Sequence, residues 1–173
     1  GAIFPQHASV DPAAYHKGLL GKAWDAGATI ISYCAAENIN RHKHGFSVKT
    51  SKGIVQADKV IIATNGYTGS LTPRLQRRVI PIGSYVIATE PVGKALMDEL
   101  MPKNRIVSDT RKVVYYYRPS PDRSRIIFGG RVSLRESNPR ISAPKLHQSL
   151  TQLFPQLEHT KVSHSWMGFV AFT

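Results

Sequence analysis

Ala57-Asp58-Lys59-Val60-Ile61-Ile62-Ala63-Thr64-Asn65-Gly66-Tyr67-Thr68-Gly69 is the stretch on which the fold of this chain turns. The β-branched run Val60-Ile61-Ile62 leads straight into small residues at Ala63-Thr64-Asn65-Gly66. Such a run fits a strand buried on both faces, as in the parallel sheet of an α/β domain. Residues without bulk just past its carboxyl end let a ligand approach the backbone, and open α/β sheets bind ligands there. The stretch therefore predicts a buried strand over residues 59–63 and a nucleotide cofactor site beyond it.

Toward the N-terminus, Asp11-Pro12 supplies a helix cap followed by proline at the first helical position. Tyr15, Leu19, Leu20, Ala23 and Trp24 then recur at helical spacing, and Gly27 stops the helix. Ala28-Thr29-Ile30-Ile31-Ser32 reads as a strand. Two alternating segments follow, Glu37-Asn38-Ile39-Asn40 and Phe46-Ser47-Val48-Lys49-Thr50. Ser51-Lys52-Gly53 makes a tight turn, and Ile54-Val55-Gln56-Ala57 pairs back. Helix, strand, small meander, buried strand is the order expected of half a dinucleotide-binding domain whose crossover is a β-meander.

Toward the C-terminus the character changes. Residues 71–78 read as a loop or short helical connection, and 79–89 as a long extended run bent at Pro81 and Gly83. A short helix is predicted over 91–101. Strands are predicted at Ile106-Val107, 113–118 and 125–129, with a turn at Pro119-Ser120-Pro121-Asp122-Arg123-Ser124. Ser142-Ala143-Pro144 is read as opening a second amphipathic helix through Leu146, Leu150, Leu153 and Phe154. Residues 162–173 form a final strand.

With 42% hydrophobic and 20% charged residues, the 173-residue chain can bury one sound core, or two small lobes, without disulfides. No apolar run approaches the roughly 20 residues that span a bilayer, and the first seven residues carry no basic-then-apolar leader. Cys34 is the only cysteine, which excludes an internal disulfide, fits a reducing, cytoplasmic setting and reads as a buried structural thiol. The 23 Lys and Arg against 11 Asp and Glu, net +12, raise a nucleic-acid or acidic partner. Those cations are spread from Lys17 to Lys161 without a long basic helix or a nucleic-acid motif, so a solvated basic surface is the plainer reading. Arg41-His42-Lys43-His44 lacks a third ligand nearby and reads as a solvated turn, with no metal site.

An ordered set of motifs resembles the FAD-dependent amine and amino-acid oxidoreductases of the D-amino-acid oxidase type. It comprises the opening helix from Val10 to Leu19, Ala26-Gly27-Ala28-Thr29-Ile30, and the run from Gly53 through Val60-Ile61-Ile62-Ala63-Thr64-Asn65-Gly66. Tyr117-Arg118-Pro119, Phe128-Gly129-Gly130 and Trp166-Met167-Gly168 follow. Within that family the gamma-glutamylputrescine oxidoreductase type is the most similar subgroup. The resemblance implies an α+β chain derived from an α/β fold. Residues 1–78 would be part of an FAD-binding domain with its β-meander. Residues 79–165 would form a mostly antiparallel substrate-domain sheet with flanking helices, and 166–173 the start of a return strand toward the flavin.

It further implies FAD as cofactor and oxidation of a C–N bond in an amine or amino-acid substrate by hydride transfer to the flavin. No catalytic side chain is assigned, because the flavin does the chemistry and a neutral amine needs no strong protein base. Ala63, Thr64, Asn65 and Gly66 would meet the ADP half of FAD through their backbone, and Ala36 the adenine. Trp166 and Gly168 would pass near the flavin ring. Plainer readings stand beside these: a strand-to-loop exit, a strand edge and a core tryptophan. On the substrate side the candidates are Tyr115, Tyr117, Arg118 and Arg131, an arginine fork for a carboxylate and tyrosines as walls. Alternation puts Tyr115 and Tyr117 on one strand face, Tyr116 and Arg118 on the other.

Two departures from the family pattern matter. The sequence has no Gly-x-Gly-x-x-Gly to seat a pyrophosphate on a helix N-terminus. It also ends at Thr173, before the segment that would cover the flavin. An internal fragment of a larger oxidoreductase is therefore expected, holding no FAD by itself, inactive alone, and prone to self-association through uncovered apolar surface. Two other readings stay open: a basic binding module for an anionic ligand or nucleic acid, and a non-catalytic interaction domain.

Overall fold

Asp11 starts the first helix as its sequence demands. Its carboxylate accepts hydrogen bonds from the N–H groups of Ala13 (2.9 Å) and Ala14 (3.2 Å), and α1 runs over Pro12–Asp25 with proline at its first position. The helix ends where Gly27 takes a positive φ of 88° and Ala28 N–H bonds back to the Ala23 carbonyl (3.0 Å). The computed structural model describes residues 2–110, 114–130 and 138–173. It divides the chain into two units, Val10–Pro81 with Ala171–Thr173, and Ile82–Val170 with Gly1–Ser9.

The first unit holds α1 and an antiparallel meander of β1 (Ala36–His42), β2 (Gly45–Thr50) and β3 (Gly53–Ala57), in that spatial order. Register pairs Ile39 with Val48, and Val48 with Val55. The β2–β3 turn is locked by Thr50, whose hydroxyl donates to the Gly53 carbonyl (2.9 Å) and accepts from Lys52 N–H (3.2 Å). Gly45 (φ 136°) opens β2 where a Cβ would press on the Ala57 carbonyl oxygen at 2.6 Å, so only glycine fits there. A single helical turn, α2 (Pro73–Gln76), follows where a short connection was predicted.

Two predicted strands of this unit do not form. Residues 28–32 and 59–63 have no sheet partner among the described residues, and Ile31 and Ile61 are 55% and 89% exposed. A parallel strand obtains both its hydrogen bonds and its two-sided cover from neighbouring strands. Neither run has such a neighbour among the described residues, so neither is part of a sheet. The apolar face of α1 is likewise uncovered: none of its residues is buried, and Tyr15, Leu19 and Trp24 are exposed.

The second unit is built on a five-stranded sheet. Its strands are β4 (Ile80–Thr89), β5 (Val107–Ser108), β6 (Tyr115–Pro119), β7 (Ile126–Gly130) and β8 (Val162–Phe172), in the order β5-β6-β7-β4-β8. The pairs β5–β6, β6–β7 and β4–β7 are antiparallel. Register aligns Tyr116 with Gly129 and Val86, and Arg118 with Ile127 and Ala88. Helices α3 (Lys94–Leu100) and α4 (Pro139–Leu153) complete the unit.

The α4 helix begins earlier than predicted. Asn138 is its cap, accepting from Arg140 N–H at 2.9 Å, and Pro139 takes the first position, which leaves Pro144 inside the helix. Two cap-plus-proline signals compete here. The first one wins, and Pro144, having no N–H, makes no helical bond to the Arg140 carbonyl. The core joins Leu146 and Leu150 of α4 to Met97, Tyr85, Ile87, Ile126, Phe128 and Leu157. It lies on one face of the sheet, the face toward which Tyr115, Tyr117 and Met167 also pack.

Candidate functional site

The chain leaves residues 59–63 through a turn of 3₁₀ helix at Asn65–Tyr67. Asn65 adopts a left-handed φ of 48°, which asparagine tolerates better than most residues. Its side-chain oxygen accepts from Gly66 N–H (2.8 Å) and from Ala171 N–H (2.8 Å), so the turn is tied to Ala171 of the same unit. Thr68 closes it, its hydroxyl lying 2.7 Å from both the Asn65 carbonyl and Thr64 Oγ1. Gly66 is buried, whereas Ala63 and Thr64 are exposed, and their N–H groups have no hydrogen-bond partner among the described residues. Backbone donors facing open space beside a buried glycine suit a polar ligand that lies against the main chain. Ala36, at the exposed start of β1, pairs with Thr50 just before a register irregularity.

In the second unit the sheet sorts the remaining candidates by face. Tyr115 and Tyr117 lie on the covered side. Tyr117 packs on Phe128 and edge-on against Phe154, with ring centroids 6.0 and 5.4 Å apart, and Tyr115 Oη accepts from Ser149 of α4 at 3.0 Å. Burial, reinforced by the negative charge of Asp109, pushes the Tyr117 phenol above its ordinary value of 10.0. The cavity these tyrosines share with Asp109 and Ser149 measures about 120 Å³. That is below the roughly 300–1,000 Å³ of ligand pockets.

Strand alternation turns Tyr116 and Arg118 of β6, and Trp166 and Gly168 of β8, to the opposite side. The Tyr116 ring crosses the sheet over Gly129, and its hydroxyl meets that of Ser84 on β4. Trp166 is 43% exposed and so is no core tryptophan, and Gly168 is half-buried. Strand order places β6 and β8 three spacings apart, about 14 Å. One open face thus carries an arginine, a tyrosine braced by a serine, and a tryptophan beside a strand glycine. Arg131 lies outside the described residues. Tyr116 and Ser84 were not singled out in sequence; the signal for them was the glycine pair at 129–130, which makes room for rings from the neighbouring strand.

Cys34 is half-buried rather than buried. His42 hydrogen-bonds the Ser47 hydroxyl (2.8 Å), and among the described residues no cluster of His, Cys, Asp and Glu could hold a metal ion. No helix of the described residues is long and apolar enough to cross a membrane.

All 173 residues match the sequence model of one family, described as FAD dependent oxidoreductase. The chain belongs to that family. A probable oxidoreductase OrdL of Rhizobium meliloti (strain 1021) is 32% identical over 164 residues, covering 95% of this chain and 38% of the relative. Gamma-glutamylputrescine oxidoreductase of Escherichia coli (strain K12) is 38% identical over 147 residues, covering 82% and 33%. The chain therefore spans well under half the length of these curated relatives. Among solved structures, L-proline dehydrogenase from P. horikoshii superposes with a TM-score of 0.72 at 19% identity over 94% of this chain and 44% of that one. Glycine oxidase from Geobacillus kaustophilus gives 0.68 at 19% identity, over 91% and 41%. These likenesses establish the fold: mixed α and β with antiparallel sheets, as in part of an FAD-dependent oxidoreductase.

The residues present fit the cofactor of this family in part. The open N–H groups of Ala63 and Thr64 beside buried Gly66 suit the main-chain contact that an adenine nucleotide makes at a strand end. A glycine-rich pyrophosphate seat is not in the sequence.

Proposed function

We propose that this sequence supplies one part of the FAD site and the substrate-facing sheet of an oxidoreductase that oxidises a C–N bond of an amine or amino acid. Residues 1–78 are its share of the FAD-binding domain, 79–165 the substrate domain, and 166–173 the return toward the flavin. The observation that carries this reading is the sheet face opposite α4, which strand alternation gives to Arg118, Tyr116, Trp166 and Gly168. A guanidinium on that face suits a substrate carboxylate, which it grips with paired hydrogen bonds. Trp166 and Gly168 give a flat wall and a close backbone approach for the flavin ring. Tyr115 and Tyr117 support that face from behind rather than lining it. Ala63, Thr64, Asn65 and Gly66, with Ala36, are the proposed contacts to the ADP half. Arg131 stays a second carboxylate candidate from its sequence position.

FAD held there would supply the hydride acceptor for the carbon beside the amine. The chain's own residues hold the substrate in line and keep water away. The names of the relatives, a gamma-glutamylputrescine oxidoreductase, a proline dehydrogenase and a glycine oxidase, support the substrate class.

The test is anaerobic mixing of the longest open reading frame that contains this sequence, purified with its flavin, with gamma-glutamylputrescine, proline and glycine in turn. Bleaching of the flavin band by an amine or amino acid is expected. A flavin-free protein, or one that no amine or amino acid reduces, overturns the reading.

A further inference from the structure

We propose that the groove between the first half of α4 and the segment entering β8 binds a small organic anion: an oxyanion group on an apolar body. The groove encloses about 560 Å³, within the range of small-ligand sites. It shares no lining residue with the face that carries Arg118 and Trp166, so it stands apart from the function proposed above. Ala143, Pro144 and Val162 give it an apolar lining. Around them stand Arg140 and His147 of α4, and His159, Lys161 and His164 of the strand segment; Glu158 is the one acidic residue among the lining residues described.

Two of these imidazoles are pre-set by the fold. His147 Nε2 lies 2.7 Å from the Thr160 carbonyl, and since a carbonyl only accepts, that nitrogen carries the proton. His164 Nδ1 lies 2.9 Å from Ser163 Oγ. That hydroxyl already accepts from Arg125 (2.8 Å) and has a single proton, which the Thr89 carbonyl takes at 2.7 Å. His164 Nδ1 is therefore the donor to Ser163. Arg140 and Lys161 are exposed and make no side-chain hydrogen bond or ion pair with any described residue. The two cations Arg140 and Lys161 against the single carboxylate of Glu158 give the described lining a net positive charge, which favours anions. The apolar lining selects, among anions, those with a hydrophobic part.

The experiment is calorimetric titration of the full chain with phenyl phosphate, benzoate, inorganic phosphate and benzyl alcohol. Phenyl phosphate or benzoate is expected to bind saturably at one site, weakening as salt rises, and the tighter of the two tells which oxyanion the groove prefers. Inorganic phosphate is expected to bind at least about tenfold more weakly, and benzyl alcohol not at all. The R140S/K161S variant should lose about tenfold or more, while K17S/K43S, which removes the same charge elsewhere, keeps its affinity. Unchanged melting temperatures would show that both variants fold. No saturable binding, equal losses in the two variants, or equal affinity for inorganic and phenyl phosphate would each overturn the proposal.

Discussion

Tyr116 and Gly129 face each other across the β6–β7 pair, and the tyrosine ring lies in the space that a side chain at position 129 would need. A Cβ there would stand 2.7 Å from Tyr116 Oη and closer still to the ring carbons. The ring has little freedom to yield, because its hydroxyl is held by Ser84. Gly129→Ala must push the ring aside and break that bond, and overpacking of this kind costs about 1–3 kcal/mol. Urea denaturation should show a loss of that size, and a loss at least about 0.5 kcal/mol smaller in a Tyr116→Ala background. Equal losses in both backgrounds would show that the ring is not what excludes a side chain.

The β6–β7 turn governs stability at low pH. Asp122 accepts from the Ser120 hydroxyl, then from Ser124 N–H (3.1 Å) and the Ser124 hydroxyl (2.8 Å), which together hold its carboxyl at about 2 against an ordinary 3.8. Asp98 is lowered too, first by Lys94 and then by Arg123. A carboxyl depressed on folding adds stability above its unfolded value and loses it as pH falls through the folded one. The chain should therefore lose stability as pH drops from about 4 to about 2. Asp122→Asn should flatten that descent while shifting the urea midpoint little between pH 2 and its foot. An unaltered pH profile in the variant would show that the turn contributes nothing to it.

How far the sequence reached depended on whether a signal was local. Asp11-Pro12, Gly27 and the Ser51-Lys52-Gly53 turn act through bonds to residues a few positions away, and each sits where it was read. Residues 28–32 and 59–63 failed as strands because an apolar run says only that it needs cover, and the cover must come from other strands. The start of α4 was missed because Asn138-Pro139 and Ser142-Ala143-Pro144 carry nearly the same signal. Alternation correctly separated Tyr115 and Tyr117 from Tyr116. It could not say which pair α4 would cover, since both faces carry a tyrosine. The groove histidines 147, 159 and 164 were illegible because only the fold brings α4 beside the entry to β8.

Uncovered apolar surface in the first unit should make the chain self-associate. Trp24 is 62% exposed and Ile61 89% exposed, while Tyr15 and Leu19 lie on the same open helix as Trp24. Surface of this kind gains on burial at about 25 cal/mol per Å², and another copy of the chain supplies cover as readily as any partner. Sedimentation velocity should show a weight-average mass that rises with concentration, and Trp24→Ser with Ile61→Ser should reduce that rise. A single monomeric boundary at high concentration would count against it.

Purified by itself, the chain should be colourless. The open N–H groups of Ala63 and Thr64 offer a nucleotide two neutral contacts, each worth about 1 kcal/mol net. The sequence provides no glycine-rich helix start to hold the pyrophosphate charge. Equilibrium dialysis against FAD should therefore find no stoichiometric complex at micromolar protein. A flavin absorption band that survives gel filtration would refute this.

Arg118 and Tyr117 are neighbours on β6 that alternation turns to opposite faces, and the proposed division between substrate binding and support rests on that difference. In a full-length flavoprotein carrying this sequence, Arg118→Gln should remove the paired, charge-assisted bonds proposed above for a substrate carboxylate, a contribution of about 1.5–3 kcal/mol. KM for a carboxylate-bearing substrate should rise at least about tenfold, with a smaller change for a substrate amine that lacks the carboxylate. Tyr117→Phe keeps the ring that packs on Phe128 and Phe154 and removes only a phenol, so KM should stay within about twofold. Its effect appears at high pH instead. The Tyr117 phenol is raised above 10.0 on folding, so its contribution to stability is complete below that value and lost as pH rises through the folded one. Phenylalanine cannot ionise, so the variant should resist alkaline unfolding better than the parent. A KM that rises with Tyr117→Phe and not with Arg118→Gln would place the substrate on the α4 side of the sheet and reverse the assignment of its faces.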